Sequence, residues 1–167
     1  PDAPMVSVLA AADPTGLNAV EIRSRYAEGG SFTRLSSNSR WIRLTRGLGT
    51  VSIELSWDGE VWTSVPDAPV RIENPIAGLV ALDENDSGAA WAEFDHVEVE
   101  PLAEGSFLSV DLGEPVGTVE DGAEAVLFTS EGDLWGTADR APLAYRPLEG
   151  DGSVLAHIQS LEAVSDF

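Results

Sequence analysis

TVSIELSWDGEVWT, residues 50–63, reads as a β-hairpin. Val51, Ile53, Leu55 and Trp57 alternate with Ser52, Glu54 and Ser56, the two-residue period of a strand with one buried face. Asp58-Gly59 follows at once, and Val61-Trp62-Thr63 after it. An Asp-Gly pair between two such runs is the strongest short-range hairpin signal a sequence carries. The phase predicts Trp57 in the core beside Val51, Ile53 and Leu55, and Trp62 packed across the hairpin. Ser56-Trp57-Asp58-Gly59 also echoes an Asp-box, whose usual role is a folded hairpin.

The same period extends outward. Upstream, residues 41–46 (WIRLTR) alternate Ile42 and Leu44 with Arg43 and Thr45, and residues 17–26 (LNAVEIRSRY) alternate Val20 and Ile22 with Glu21, Arg23 and Arg25. Residues 5–10 form a short apolar run. Downstream, residues 76–82 are a nearly continuous apolar strand, 83–88 (DENDSG) a polar turn, and 91–100 another strand. Residues 101–115 read as an acidic connector broken by Gly105, Gly113 and Pro115. Further strands are expected at 125–129, 134–135, 143–145 and 154–161, the last entered through the turn Gly150-Asp151-Gly152. No amphipathic helix of three turns is present. The 16 Gly and 10 Pro are spread rather than clustered. Eight to eleven short strands between turns predict an all-β fold, an antiparallel two-sheet sandwich or jelly roll.

Charge excludes several functions. The 167 residues carry 29 acids against nine bases, a net charge of -20. Every base is Arg, and most of these lie between Arg23 and Arg71. So acidic a surface repels phosphate backbones and anionic lipid, so neither nucleic acid nor membrane is expected as a partner. No apolar run approaches the ~20 residues of a membrane span. With no Cys, thiol chemistry and Cys-type zinc sites are excluded. His96 and His157 stand far apart in sequence, so a His-rich metal site is not expected.

Four pieces then arrive in order: Trp41-Ile42-Arg43-Leu44-Thr45-Arg46, then Leu55-Ser56-Trp57-Asp58-Gly59-Glu60-Val61-Trp62-Thr63, then Ile76-Ala77-Gly78-Leu79-Val80-Ala81, then Ala92-Glu93-Phe94-Asp95-His96-Val97. Together they resemble the bacterial concanavalin A-like domain that ends many secreted glycosidases and adhesins, sometimes labelled regulation of enolase protein 1-like. The resemblance covers roughly residues 4–100. Residues 133–139, Tyr145, 147–152 and 154–161 resemble the opening strands of the same family, placed after rather than before the others. The resemblance therefore implies later strands of a concanavalin A-like sandwich in 1–100, a connector in 101–115, and opening strands of the same or an adjacent sandwich in 116–167. It also implies that the core strand which the family carries between the segment ending at Asp166-Phe167 and the one starting at Pro1-Asp2 is absent, leaving a slot for a strand from another copy or a cleaved segment, unless 1–100 and 116–167 close on each other as a permuted single domain. The function it implies is a non-catalytic carbohydrate-binding or adhesion module, extracellular or at the cell surface, with a glycan as partner. The alternative is a structural repeat that assembles by strand complementation.

Three groups of side chains stand out as sites. Trp91, Trp135, Tyr145 and Arg43 are the expected ligand-binding residues, because exposed aromatic faces stack on sugar rings beside polar groups. Asp83, Asn85 and Asp86 crowd oxygen ligands into one turn and are candidate Ca²⁺ ligands, the single cofactor the sequence suggests. Glu93, Asp95 and Glu98 spell E-x-D-x-x-E, a pattern similar to the catalytic strand of laminarinase-type retaining glycosidases. Alternation puts Glu93 and Asp95 on one face, and Glu98 joins them only through a bulge. The apolar phase does switch there, from Phe94 to Val97 and Val99.

Overall fold

The computed structural model describes residues 5–13, 16–26, 29–36, 38–48, 50–65, 76–81, 90–100, 106–131, 140–148 and 150–163, with the first three spans and 162–163 described by backbone alone. Thirteen strands and no helix occur among them. They are β1 (Met5–Asp13), β2 (Gly16–Tyr26), β3 (Gly29–Ser36), β4 (Trp41–Gly47), β5 (Thr50–Ser56), β6 (Trp62–Val65), β7 (Ile76–Val80), β8 (Ala90–Glu100), β9 (Leu108–Leu112), β10 (Gly117–Asp121), β11 (Ala125–Ser130), β12 (Ala141–Pro147) and β13 (Gly152–Ala163).

A seven-stranded sheet runs β10-β11-β8-β13-β4-β5-β6, and a three-stranded sheet runs β7-β12-β9. β1, β2 and β3 form a third, antiparallel sheet. The first two sheets have sandwich character. Leu79 and Ala81 from one side meet Ala92, Val126, Phe128 and Ala156 from the other, with Ala144 of β12 among them. A second cluster joins Val99, Leu148 and Val154. Strands from the chain's end interleave with earlier ones: β13 pairs with both β4 and β8, and β12 with β7. Among the described residues, the seven-stranded sheet is hydrogen-bonded without a break from β10 to β6.

Three strands escape the sequence pattern. β3 and β10 have weak alternation, and β9 lies within the expected connector. β9 forms because β12 offers it an edge, pairing Tyr145 with Leu108 and Ala141 with Leu112. The outer face of the small sheet stays partly apolar, with Ile76, Leu108 and Val110 each about half exposed. The expected strand at 134–135 and the turn at 83–88 lie outside the described residues.

The opening hairpin is present, with one correction. Ser56 pairs with Trp62, so residues 57–61 form a five-residue connection instead of a two-residue turn. Trp57 is the first residue past the strand. Alternation ends there, and its side chain is 59% exposed rather than in the core. Ile53 and Leu55 keep the buried phase. Asp58 organises the tip: Oδ1 accepts from the backbone N–H of Glu60 and Val61 at 2.9 Å each and from Ser56 Oγ at 3.1 Å. Gly59 takes a φ of 78°, the left-handed region glycine adopts without strain.

These bonds favour the ionised carboxyl. The Val61 N–H, then the Glu60 N–H, hold Asp58 below the usual carboxylate range. A depressed folded pKa means that its stabilisation of the tip is complete above the unfolded value of about 3.9 and is lost as pH falls through the folded one. In an NMR titration the Glu60 and Val61 amide resonances should therefore move together, with a midpoint below that of a free Asp. Asp58→Asn should remove this titration. Amide shifts that ignore pH down to 2, or that follow a midpoint at or above ~3.9, would contradict the arrangement.

Candidate functional site

The outer face of the seven-stranded sheet, turned away from the three-stranded one, gathers polar and aromatic side chains. Cross-strand register sets two rows. One runs Glu98, Leu155, Arg43, Glu54 through β8, β13, β4 and β5. The next runs Asp95, His157, Trp41, Ser56, Trp62 and reaches β6. Glu93 lies beyond Asp95 on the same face, opposite Ser160.

β8 is bulged where it crosses this face. It advances three residues, from Glu98 to Asp95, while β13 advances two, from Leu155 to His157. His96 carries the irregularity, with a φ of 47°. That conformation costs an L-residue about 1–2 kcal/mol, and His tolerates it better than β-branched residues do. In an unbroken strand Asp95 and His96 would point to opposite faces. The bulge turns both to the outer one. It also moves the inward phase from Phe94 to Val97 and Val99, as the switch in apolar spacing predicts. Glu93, Asp95 and Glu98 consequently share a face, the condition their E-x-D-x-x-E spacing required.

β13 is irregular one step further on, where Ile158 faces Phe94 but Ser160 faces Glu93. Arg40, just ahead of β4, holds β13 at this point from the other side. Its carbonyl accepts from Ile158 N–H at 2.8 Å, and its guanidinium donates to the Gln159 carbonyl at 2.9 Å.

The two irregularities assemble a cluster that sequence distance had argued against. His96 and His157, expected to be unrelated, both donate from Nδ1 to Asp95 Oδ1, at 3.1 Å and 2.5 Å. Antiparallel pairing of β8 with β13 is the cause: it closes a gap of 62 residues between Asp95 and His157. With its amide oriented so that both ends find partners, Gln159 donates to Asp95 Oδ2 and to Glu93 Oε1 at 3.2 Å each. Ser160 Oγ donates to Glu93 Oε2 at 3.3 Å. Burial raises the Asp95 carboxyl, but the hydrogen bonds from His96 and His157 and the attraction of their rings outweigh it and hold the group below its ordinary value.

Trp41 walls the cluster. Its ring lies 4.6 Å from that of His157, tilted by 30°, and 5.3 Å from that of His96. Its far side touches the hairpin tip, where a Cβ on Gly59 would stand 3.0 Å from the indole. Trp62 donates from Nε1 to the Gly59 carbonyl at 3.1 Å. The tip that presents Trp57 is thus attached to the wall of the cluster.

The expected ligand-binding residues are divided. Arg43 lies on this face, with its guanidinium 3.8 Å from the centre of the Trp62 ring and 3.2 Å from Glu54. Trp91 shares the face at the end of β8 and is half buried. Tyr145 belongs to the outer face of the small sheet, across the sandwich, because its neighbour Ala144 points into the core. Trp135 and the calcium candidates Asp83, Asn85 and Asp86 lie outside the described residues. Sequence reading missed Trp41, His96, His157, Gln159 and Ser160. The one available signal was the phase switch at 94–97, which marked the bulge but not its partner strand. Compared with protein-family models, with curated proteins and with solved structures, the chain matches none.

Proposed function

We propose that this chain is a carbohydrate-binding module of the jelly-roll, concanavalin A-like kind, and that the outer face of its seven-stranded sheet receives the glycan. The observation that carries the reading is the composition of that face. Trp41 lies against His96 and His157, the hairpin tip that carries exposed Trp57 packs on Trp41 through Gly59, and Glu93, Asp95 and Gln159 lie next to the imidazoles. An aromatic plane takes up the C–H face of a pyranose, while carboxylate, imidazole and amide groups meet its hydroxyls. A net charge of -20 favours neutral over anionic polysaccharides. Extracellular or cell-surface placement accords with such a ligand.

A second reading, retaining glycoside hydrolysis, is favoured by the bulge alone. It puts Glu93 and Glu98 on one face with Asp95 between them, in the roles of nucleophile and acid/base. One experiment separates the two readings. The protein is incubated with neutral β-glucans, and both retention on the polysaccharide and release of reducing ends are measured. Binding without release, weakened about five- to tenfold by Trp57→Ala, is the expected result, a stacked aromatic contact contributing ~1 kcal/mol. Release abolished by Glu93→Gln and by Glu98→Gln would establish hydrolysis instead. No retention on any plant, algal or bacterial polysaccharide would end both readings.

A further inference from the structure

We propose that Asp95, His96 and His157 bind a divalent transition-metal ion of the zinc class on the outer face of the seven-stranded sheet. Their donor atoms all lie within 4.8 Å of one another. Two imidazoles and one carboxylate are a zinc-type donor set of three protein ligands, leaving a fourth position for water or a bound molecule. Hard cations such as Ca²⁺ and Mg²⁺ prefer all-oxygen sites and are excluded by the two imidazoles.

The geometry is close to what such an ion needs. Zinc–ligand bonds of about 2.0–2.1 Å at tetrahedral angles put neighbouring ligand atoms about 3.3 Å apart. His96 Nδ1 already stands 3.1 Å from Asp95 Oδ1. His157 Nδ1, at 2.5 Å, has to withdraw by less than an ångström. The ion takes the place of the protons that the two rings now donate to the carboxylate. His157 and Asp95 are about four-fifths buried and held by neighbours, whereas the His96 side chain is 65% exposed and leaves a path from solvent.

Three further features support a site rather than an accidental contact. The left-handed conformation of His96 accompanies the bulge that turns consecutive residues 95 and 96 the same way, and strain of this sort gathers at functional positions. Gln159 fixes the second oxygen of Asp95 and is itself tied to Glu93, the outer support that ligating carboxylates require. Trp41 covers both imidazoles and limits their rotation.

The test is calorimetric titration of the 167-residue chain with ZnCl₂ at near-physiological salt, with CaCl₂ and MgCl₂ as comparisons. One Zn²⁺ per chain is expected, with Ca²⁺ and Mg²⁺ unable to compete. His157→Ala and His96→Gly should each weaken binding at least about tenfold, and Glu93→Gln by a smaller factor. Gly at position 96 keeps the left-handed backbone, so loss of affinity there is not loss of fold; a thermal melt checks this. Glu120→Gln, an exposed acid on β10, should leave zinc affinity unchanged. Co²⁺ should give visible d–d bands that His157→Ala removes, and should quench fluorescence that is absent from Trp41→Phe. Absence of saturable zinc binding would overturn the proposal. So would zinc affinity that His157→Ala and His96→Gly leave intact, since the ion would then be held by the diffuse acidic surface.

Discussion

Phe128→Ala should destabilise the protein by about 4–5 kcal/mol, near the upper end for a buried aromatic truncation. The Phe128 ring is fully buried and meets Phe94 edge-on, with centroids 5.6 Å apart at 85°. Such a pair adds to plain area burial. The rest of the cluster decides the magnitude. Ala81, Ala92, Ala144 and Ala156 supply much of the surrounding wall, and a methyl group has no rotamer with which to fill a void. The cavity therefore persists, and its cost adds to the lost transfer energy. Phe128→Leu keeps most of the volume and should cost about 1–2 kcal/mol. Urea denaturation measures both. Equal small losses for the two variants would mean that Phe128 is not at the centre of the contact between the sheets.

Gly78→Ala is the second large effect, and its cause is backbone rather than side chain. A Cβ at position 78 would stand 2.1 Å from the carbonyl oxygen of Ala144 and 2.9 Å from the Tyr145 Cα. Neither atom belongs to a flexible group. β12 is the middle strand of its sheet, bonded to β7 on one side and β9 on the other, and cannot retreat. The strain falls on β7, which has to separate from β12 over the pairs Ala144–Leu79 and Tyr145–Gly78. Leu79 and Ala81 follow from β7 into the main core, so the damage reaches the contact between sheets. A loss of about 3 kcal/mol or more is expected, at or beyond the usual range for overpacking. Hydrogen exchange should show early opening of β7 amides. Gly47→Ala, where nothing lies within 4 Å of the added carbon, provides the contrast in open space. Wild-type stability in Gly78→Ala would show that β7 does not pair with β12 in this register.

Much of the molecule follows from local pattern. Alternation of Ile42 with Arg43, of Ile53 with Glu54, and of Val154, Ala156 and Ile158 with their neighbours determines both that these segments are strands and which side of each is buried. The break in phase between Phe94 and Val97 also determines that β8 is bulged, because side chains on an unbroken strand cannot change faces. Alternation is a property of one segment and says nothing of its neighbour in the sheet. Tertiary structure alone decided that β13 lies between β8 and β4, and that β9 forms on the edge of β12. It decided where Trp57 goes, since the strand's last pair, Ser56 with Trp62, depends on the partner strand. It also decided the cluster. Asp95 and His157 are 62 residues apart, and only the register of β8 on β13, shifted by a bulge in each, brings both imidazoles to one carboxylate under Trp41.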